Sequence, residues 1–509
     1  MSQQQASAPS PLHGLRLFMG SIALSLATFM NVLDTSIANV SIPAIAGDLG
    51  ASANQGTWVI TAFAVSVAIS VPLTGWLTQR FGAVRLFLAS TLLFVIASLL
   101  CGLAPSLGSL VFFRILQGAV SGPMIPLSQT LMLATYPKEK SGTAMAIWSI
   151  TTLVAPVVGP ILGGWISDNY SWPWIFYINI PLGILACWVV WLIYRDRDTP
   201  THKKPIDKIG LALLFVWVGC LQLMLDKGKD LDWFHSPVII SLAVIAFIGF
   251  VFFIIWELTD THPVVDLSLF TVRNFSIGTL SIGLGYAIYF GSLVVLPLWL
   301  QTEMGYTATL AGVVLAPMGI LAIAVMPLVG KALDRWDPRW LVTLSFLTFG
   351  AVLWERSLYT TEVDFYSLLS PSVLQGLAMA TFFVPLTTIT LSGLEPSRLP
   401  AAAGLSNFVR LLLGSFGASV MTTLWENRTI MHHAQLSESS GFFNSEFNQM
   451  MDQLQQLGMS QQQALGSIEQ QLNHQANMLG INDIFLISAL LFCLLSVVVW
   501  LSRPLRRQT

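Results

Sequence analysis

Fourteen stretches of this chain are apolar enough, over about twenty residues each, to cross a bilayer's hydrocarbon core as helices. They run approximately over 17–40, 54–77, 84–103, 108–133, 142–166, 173–194, 207–226, 236–257, 275–300, 309–332, 339–358, 365–391, 399–424 and 482–503. The least apolar are 207–226 and 339–358, the latter ending in Glu355-Arg356. In lipid a backbone must satisfy its own polar groups, so runs of this length fold as helices. The expected fold is an all-α polytopic membrane protein. Composition agrees, with 54% hydrophobic and only 10% charged residues, against roughly 25% charged in a soluble domain. A net charge of −2 provides no basic field for nucleic acid. The four cysteines, Cys101, Cys187, Cys220 and Cys493, sit in apolar runs without paired spacing. They are expected to be buried packing residues, not disulfides or metal ligands. No cleavable signal peptide is expected, because the first apolar run is too long for one.

Charge sets the orientation. With the N-terminus in the cytoplasm, inner loops and tails collect 18 of the 24 Lys and Arg residues. Outer loops hold Lys227, Lys229, Arg356 and Arg428, while Arg114 and Arg410 fall within spans. That asymmetry follows the positive-inside rule and predicts an inner-membrane, multi-pass chain with both termini cytoplasmic.

The chain also repeats itself. Gly75, Gln79, Arg80 and Gly82 after the second span are echoed by Gly330, Asp334 and Arg335 after the tenth. Leu116-Gln117-Gly118 is echoed by Leu374-Gln375-Gly376, so the two offsets are 255 and 258 residues. Two bare six-span halves would need an offset nearer about 200 residues, and the two spans at 207–257 account for the excess. The expected organisation is a tail at 1–16, a six-helix bundle at 17–194 and a linker at 195–274 with two inserted spans. A second six-helix bundle at 275–503, containing a polar excursion at 425–480, and a tail at 504–509 complete it.

Within the fifth span, Ala155, Gly159 and Gly163 recur every fourth residue and leave a bare helix face for close approach of a neighbour, with Gly164 beside it. Pro156 and Pro160 remove backbone donors and favour a bend. Ordinary small-residue packing accounts for the glycines equally well. These motifs, in this order, resemble three signatures of the major facilitator superfamily: the Gly75–Gly82 loop, the Arg114-x-x-Gln117-Gly118 span and the 155–164 antiporter motif. Leu33-Asp34-Thr35-Ser36 in the first span resembles the signature of its fourteen-span drug:H+ antiporters. Residues 55–61, 174–183 and 263–270 fit the same branch, which is similar to the inner-membrane pumps of tripartite multidrug exporters. One departure stands out. The family places an Asp before the loop Arg to hold the halves together on the cytoplasmic side, and this chain has Gln79 there but keeps Asp334 in the second copy. A neutral amide gives no charge-assisted lock. The resemblance implies two six-helix bundles plus two inserted helices, working by alternating access. It also implies a proton gradient in place of any cofactor, hydrophobic drugs as substrates, and a periplasmic adaptor leading to an outer-membrane channel.

Intramembrane charges mark where coupling belongs. Asp34 is the one acid of the first span, with Asn31 a turn before it. Burial disfavours a charged carboxylate, so Asp34 is the candidate proton carrier; a shallow, solvated or helix-pairing acid is the plainer alternative. Arg114 heads a polar stripe with Gln117, Ser121 and Ser128 and cannot itself carry the proton. Pairing with backbone carbonyls is its structural alternative. In the repeat register its counterpart is Ser372. Arg410, near Ser406 and Asn407, supplies the second half with a fixed charge or a structural pair. Asp226 and Glu257 are expected at solvated or interfacial helix ends. Tolerant drug contacts point to aromatics: Trp58, Phe63, Tyr286, Tyr289, Phe290, Trp299, Phe382 and Phe383. Most such residues in a membrane protein face lipid or pack.

The 425–480 excursion is Gln-rich. Phe447, Met450, Met451, Leu454 and Leu457 recur at helical spacing, Gly458 interrupts, and Ser460 with Gln463 forms a capping box before Leu465, Ile468 and Leu472. A projecting helical hairpin with one apolar seam is expected, as an adaptor-docking element or as a lid. The expected function is proton-driven multidrug efflux. A narrow-substrate exporter remains open, and a membrane-embedded enzyme or channel is a weaker rival: the chain has no phosphate-binding Gly-x-x-x-x-Gly-Lys-[Ser/Thr] loop, and His432-His433 lie in the polar excursion without a metal motif.

Overall fold

A computed structural model describes residues 11–504 apart from 52, 138–139, 202–206, 262, 334 and 440–444. Among these, all regular elements are helical. The first bundle comprises α1 (Gly14–Asp48), α2 (Trp58–Phe81), α3 (Ala83–Gly102), α4 (Leu107–Thr135), α5 (Ser141–Asn169) and α6 (Trp174–Tyr194). The inserted pair is α7 (Lys208–Lys227) and α8 (Pro237–Thr259). The second bundle follows as α9 (Arg273–Thr302), α10 (Ala308–Leu333), α11 (Pro338–Arg356), α12 (Phe365–Leu391), α13 (Leu399–Ser439) and α15 (Gln461–Val498), with the short α14 (Ser445–Gln456) between the last two. Among the described residues twelve helices are long and apolar enough to span a membrane, and α5, bent by 42° between Pro156 and Ile161, makes a thirteenth. Helix α11 has 19 residues and packs inside the second bundle, compatible with fourteen crossings.

Helix boundaries have local causes. Asp207, Asp337 and Asp364 each accept backbone N–H groups at the starts of α7, α11 and α12. Gly82 separates α2 from α3 with φ +88, a left-handed conformation open to glycine. Helices α13 and α15 run well beyond the apolar stretches at 399–424 and 482–503. The α15 extension is rich in Gln, Leu and Ala, good helix formers even without lipid. The reciprocal Ser460–Gln463 box starts α15.

The duplication is visible in the packing. Helix α1 lies on α5 as α9 lies on α13, and α2 lies on α4 as α10 lies on α12. Across the halves α5 meets α10 and α2 meets α13. The loop glycines make these crossings close: a Cβ on Gly75 would sit 2.6 Å from Ala401 Cβ, and one on Gly330 would sit 3.2 Å from Thr143 Cα. The α7–α8 pair packs outside the α2–α13 seam, where Trp217 meets Phe408 edge-on at 5.9 Å.

Three expectations need correction. Arg356 is not an outer-loop charge: it is buried, donating to Ser372 Oγ at 3.1 Å. Glu257 stands near the end of α8 as expected but is not solvated: it is buried and accepts the Val265 N–H at 3.0 Å. Cys493 is exposed on the bundle surface, and Cys187 and Cys220 are only half-buried, so Cys101 alone fits the packing expectation fully. The tails at 1–16 and 504–509 fall largely outside the described residues, and Asp334 lies outside them too.

Candidate proton and drug sites

The first half gathers its polar groups around one carboxylate. Asp34 on α1 is buried, and its Oδ2 lies 2.5 Å from Arg114 Nη1 on α4, both side chains fully shielded. Its Oδ1 accepts from Asn179 Nδ2 on α6 at 2.7 Å and from Gln117 Nε2 at 3.2 Å. Arg114 also donates through Nε to the Val59 carbonyl at 3.1 Å and through Nη1 to Gln117 Oε1 at 2.7 Å. Its guanidinium carbon sits 4.1 Å from the Phe63 ring centroid. Asp34 and Arg114 therefore form an ion pair, and the carbonyl pairing envisaged for Arg114 occurs alongside it. Five helices meet here, since Val59 and Phe63 belong to α2 and Asn179 also donates to Ser98 Oγ of α3 at 2.9 Å. Arg114 Nη2 and Asn179 Oδ1 have no hydrogen-bond partner among the described residues. Asp34 supplies the charge that offsets the buried guanidinium, which the Val59 carbonyl, Gln117 and the Phe63 ring also hold.

Around the pair, the rest of the stripe ties α1 to α4. Asn31 donates to the Ser121 carbonyl at 3.2 Å, and Thr28 donates to Ser128 Oγ at 2.7 Å. The other side of α1 meets the bent helix. Ala155 and Gly159 are buried, and a Cβ on Gly159 would lie 2.6 Å from Ser36 Cβ. At Gly163 it would lie 2.9 Å from the Ile37 carbonyl oxygen. Pro160 lacks the N–H that would bond the Pro156 carbonyl, and Ser36 Oγ donates to that carbonyl at 3.3 Å. Thus the residue two beyond Asp34 stabilises the bend. Pro156 is exposed and Gly164 half-buried.

The second half is built differently. Arg410 on α13 is buried, donates to Asn407 Oδ1 at 2.8 Å and lies 5.1 and 5.3 Å from the Tyr286 and Phe383 ring centroids. Asn407 in turn donates across the seam to Gln129 Oε1 of α4 at 3.2 Å. Tyr286 stacks on Phe290 at 5.5 Å and approaches Tyr289 at 6.1 Å, while Phe382 and Phe383 meet at 4.8 Å. Five of the predicted aromatics thus form one cluster around Arg410. Phe63 belongs instead to Arg114, Trp58 is exposed beside Lys227, and Trp299 stacks on Tyr359 at the far end of α9. The gap at Arg410, between Gln129 and Trp148 of the first half and Phe383 of the second, measures about 10 Å³. That is room for about one water.

In the gate loops, Gln79 is half-buried and Arg80 stacks on Trp76 and Phe81. The conformation of Gly82 admits Asp198, whose Oδ1 accepts the Val84 N–H at 2.9 Å while Arg85 approaches its Oδ2 at 3.4 Å. An acid from beyond α6 thus stands by the first loop. Arg335 is exposed. Asp226, exposed, accepts from Thr61 Oγ1 at 2.5 Å, in keeping with a solvated helix end. His432 and His433 are not lone surface residues, since each bonds an acid of α15, Asp483 and Glu469, at 2.9 Å. Sequence reasoning passed over Asn179 as a site residue, although it is the lone amide of its span, and over Arg356.

Comparison with known proteins comes to the same fold. The sequence pattern of the Major Facilitator Superfamily matches residues 24–418. The multidrug export protein EmrB of Escherichia coli K12 is 54% identical over 496 residues, 97% of each chain. The fatty acid resistance protein FarB of Neisseria gonorrhoeae is 49% identical over 494 residues, again 97% of each. Among solved structures, the proton:xylose symporter XylE aligns with a TM-score of 0.59 at 14% identity, covering 93% of this chain and 94% of that one.

Proposed function

The chain belongs to the major facilitator superfamily, and on that premise we propose that it is a multidrug efflux transporter driven by inward proton flow. The observation that carries proton coupling is the buried Asp34–Arg114 pair. A proton arriving at Asp34 neutralises the carboxylate, and the pair with Arg114 loses its attraction. Helix α1 is then free to shift against α4. The Ser36–Ile37 contact passes that shift to α5, and α5 passes it to α10 of the other half at Gly330. A chain of packed contacts of this kind is a route for coupling once it has two arrangements. Release of the proton inside re-forms the pair. Inward movement of one charge supplies about 2.3 kcal/mol per 100 mV, besides the pH difference.

The drug is held where the halves meet, against the Tyr286–Phe383 cluster with Arg410 beside it. Aromatic faces accept varied hydrophobic bodies, and Met318 next to Tyr289 adapts to them. The protein sits in the inner membrane with both termini cytoplasmic, following the split of basic residues, 18 inner against Lys227, Lys229 and Arg428 outer once Arg356 is set aside as buried. The extensions of α13 and α15, with α14, then stand in the periplasm as the docking element for an adaptor that leads to an outer-membrane channel.

Drug uptake into inside-out vesicles under an imposed pH gradient tests the coupling. The wild-type chain is expected to accumulate drug, an ionophore to abolish the accumulation, and Asp34→Asn to reduce it to background. Full exchange by Asp34→Asn would end the role given to this carboxylate.

A further inference from the structure

At the C-terminal end of α9 lies a second cavity, of about 670 Å³, which shares no lining residue with the Asp34–Arg114 site or the Arg410 cluster. Its size is that of small-molecule pockets, roughly 300–1,000 Å³. Trp299, Glu303 and Met304 line it from the outer end of α9. Phe447 and Met450 line it from α14, and His474 from α15. The short helix is placed there by its own sequence. The chain turns back at Gly458, φ +90, and Met451 packs on Ala464 and Ile468 of α15.

Its chemistry is unlike that of a packing void. Glu303 is the one acid among the lining residues, and no Lys or Arg is among them. The Glu303 carboxylate, 17% exposed, meets Nδ1 of the more open His474 at 2.9 Å. The cavity thus presents a carboxylate whose described partner is an imidazole, set beside two aromatic rings and two adaptable thioethers. A cation facing aromatic rings gains up to about 2 kcal/mol when desolvated, and methionines reshape around varied bodies.

We propose that this cavity is an outer binding site for amphipathic organic cations, which displace His474 from Glu303 and lay their apolar bodies against Trp299 and Phe447. That such cations reach it as exported compounds rests on the efflux reading; the preference for positive charge rests on the cavity alone.

Equilibrium binding of radiolabelled tetraphenylphosphonium to the full chain in lipid nanodiscs tests the site. Glu303→Gln is expected to weaken binding about tenfold, and Met450→Trp, which fills the cavity but keeps the carboxylate, to do the same. His474→Ala removes the competitor and is expected to tighten binding about two- to fivefold, the worth of a partly exposed ion pair. A misfolded variant cannot tighten binding, so this arm separates recognition from structure. Unchanged binding in Glu303→Gln, or weaker binding in His474→Ala, overturns the proposal. Proton-driven uptake of the same cation into vesicles is measured in parallel. Uptake with no effect of the cavity variants on binding sinks the outer site and leaves efflux standing; the reverse result sinks efflux and leaves the site.

Discussion

The two halves share a fold but not an electrostatic plan. In the first, the buried guanidinium of Arg114 faces the buried carboxylate of Asp34 at 2.5 Å. In the second, Arg356 and Arg410 are equally buried, yet neither has a carboxylate within salt-bridge distance among the described residues. Arg356 bonds Ser372, which is the register counterpart of Arg114, so the second half brings its charge to the same place from the neighbouring helix. Arg410 rests on aromatic rings instead. Duplication has kept the packing and split the chemistry: the first half sets its buried guanidinium against a carboxylate, while the second sets Arg356 against a hydroxyl and Arg410 against aromatic rings.

The sharpest way to break this contrast is to remove one member of the pair. Arg114→Gln strands a buried carboxylate, a change that typically costs about 3–5 kcal/mol. A large fall in Tm of the detergent-purified chain is expected, with most of it recovered in Arg114→Gln combined with Asp34→Asn. No such recovery is expected when Asp34→Asn is combined with Arg410→Gln, because Arg410 leaves no acid behind. Equal rescue in both combinations would show that the halves are electrostatically alike.

A second contrast lies in how each half seats its bent or crossing helix. On α13, a Cβ at Gly417 would press into the Ala287 backbone of α9. On α5, a Cβ at Gly163 would meet Ile37 Cγ1 at 2.8 Å and the Ile37 carbonyl oxygen at 2.9 Å. Backbone yields less readily than a side chain, so Gly417→Ala is expected near the upper end of the roughly 1–3 kcal/mol range for overpacking and Gly163→Ala near the lower. On the proposed coupling route transport should rank the other way, because Gly163 lies on the α1–α5 contact. Thermal unfolding set against vesicle uptake reads both orders, and a common ranking would remove the division between a moving α5 and a fixed α13.

Much of this was legible in sequence because lipid simplifies the problem. Apolar length reports helices, basic residues report sides, and small residues at four-residue spacing report a close face, here Ala155, Gly159 and Gly163 of α5 against α1. Asp34 stood out since an acid is costly in such a place. What stayed hidden depended on which helix faces which. Asn179 is one amide in an apolar run until α6 brings it to Asp34. Arg356 closes the outer end of α11, so its position along the chain suggests a loop, and only the fold buries it against α12. Helices α13 and α15 outran their apolar stretches because helix propensity and a capping box act without regard to lipid. The outer cavity was invisible for the same reason, being made by chain separated by more than a hundred residues.

The smallest effect expected concerns the starts of two equivalent helices. Helix α3 has its first amides capped from a distance, by Asp198 and Thr199 beyond α6. Helix α11 is capped locally by Asp337, which also meets Arg339 Nη2 at 2.7 Å. Partial burial alone would raise the Asp337 carboxyl, but the Arg339 side chain and its amide outweigh that and hold it below the usual carboxylate value. A carboxyl lowered in the folded state stabilises above its unfolded value, about 3.9, and that contribution is lost as pH falls through the folded value. Asp337→Ala should therefore cost about 1 kcal/mol at pH 7, the usual worth of a cap. The gap in Tm between variant and wild type should narrow as the pH is taken below about 3.9. A gap constant down to that range would mean that the Asp337 charge contributes nothing and that only the shape of the cap matters.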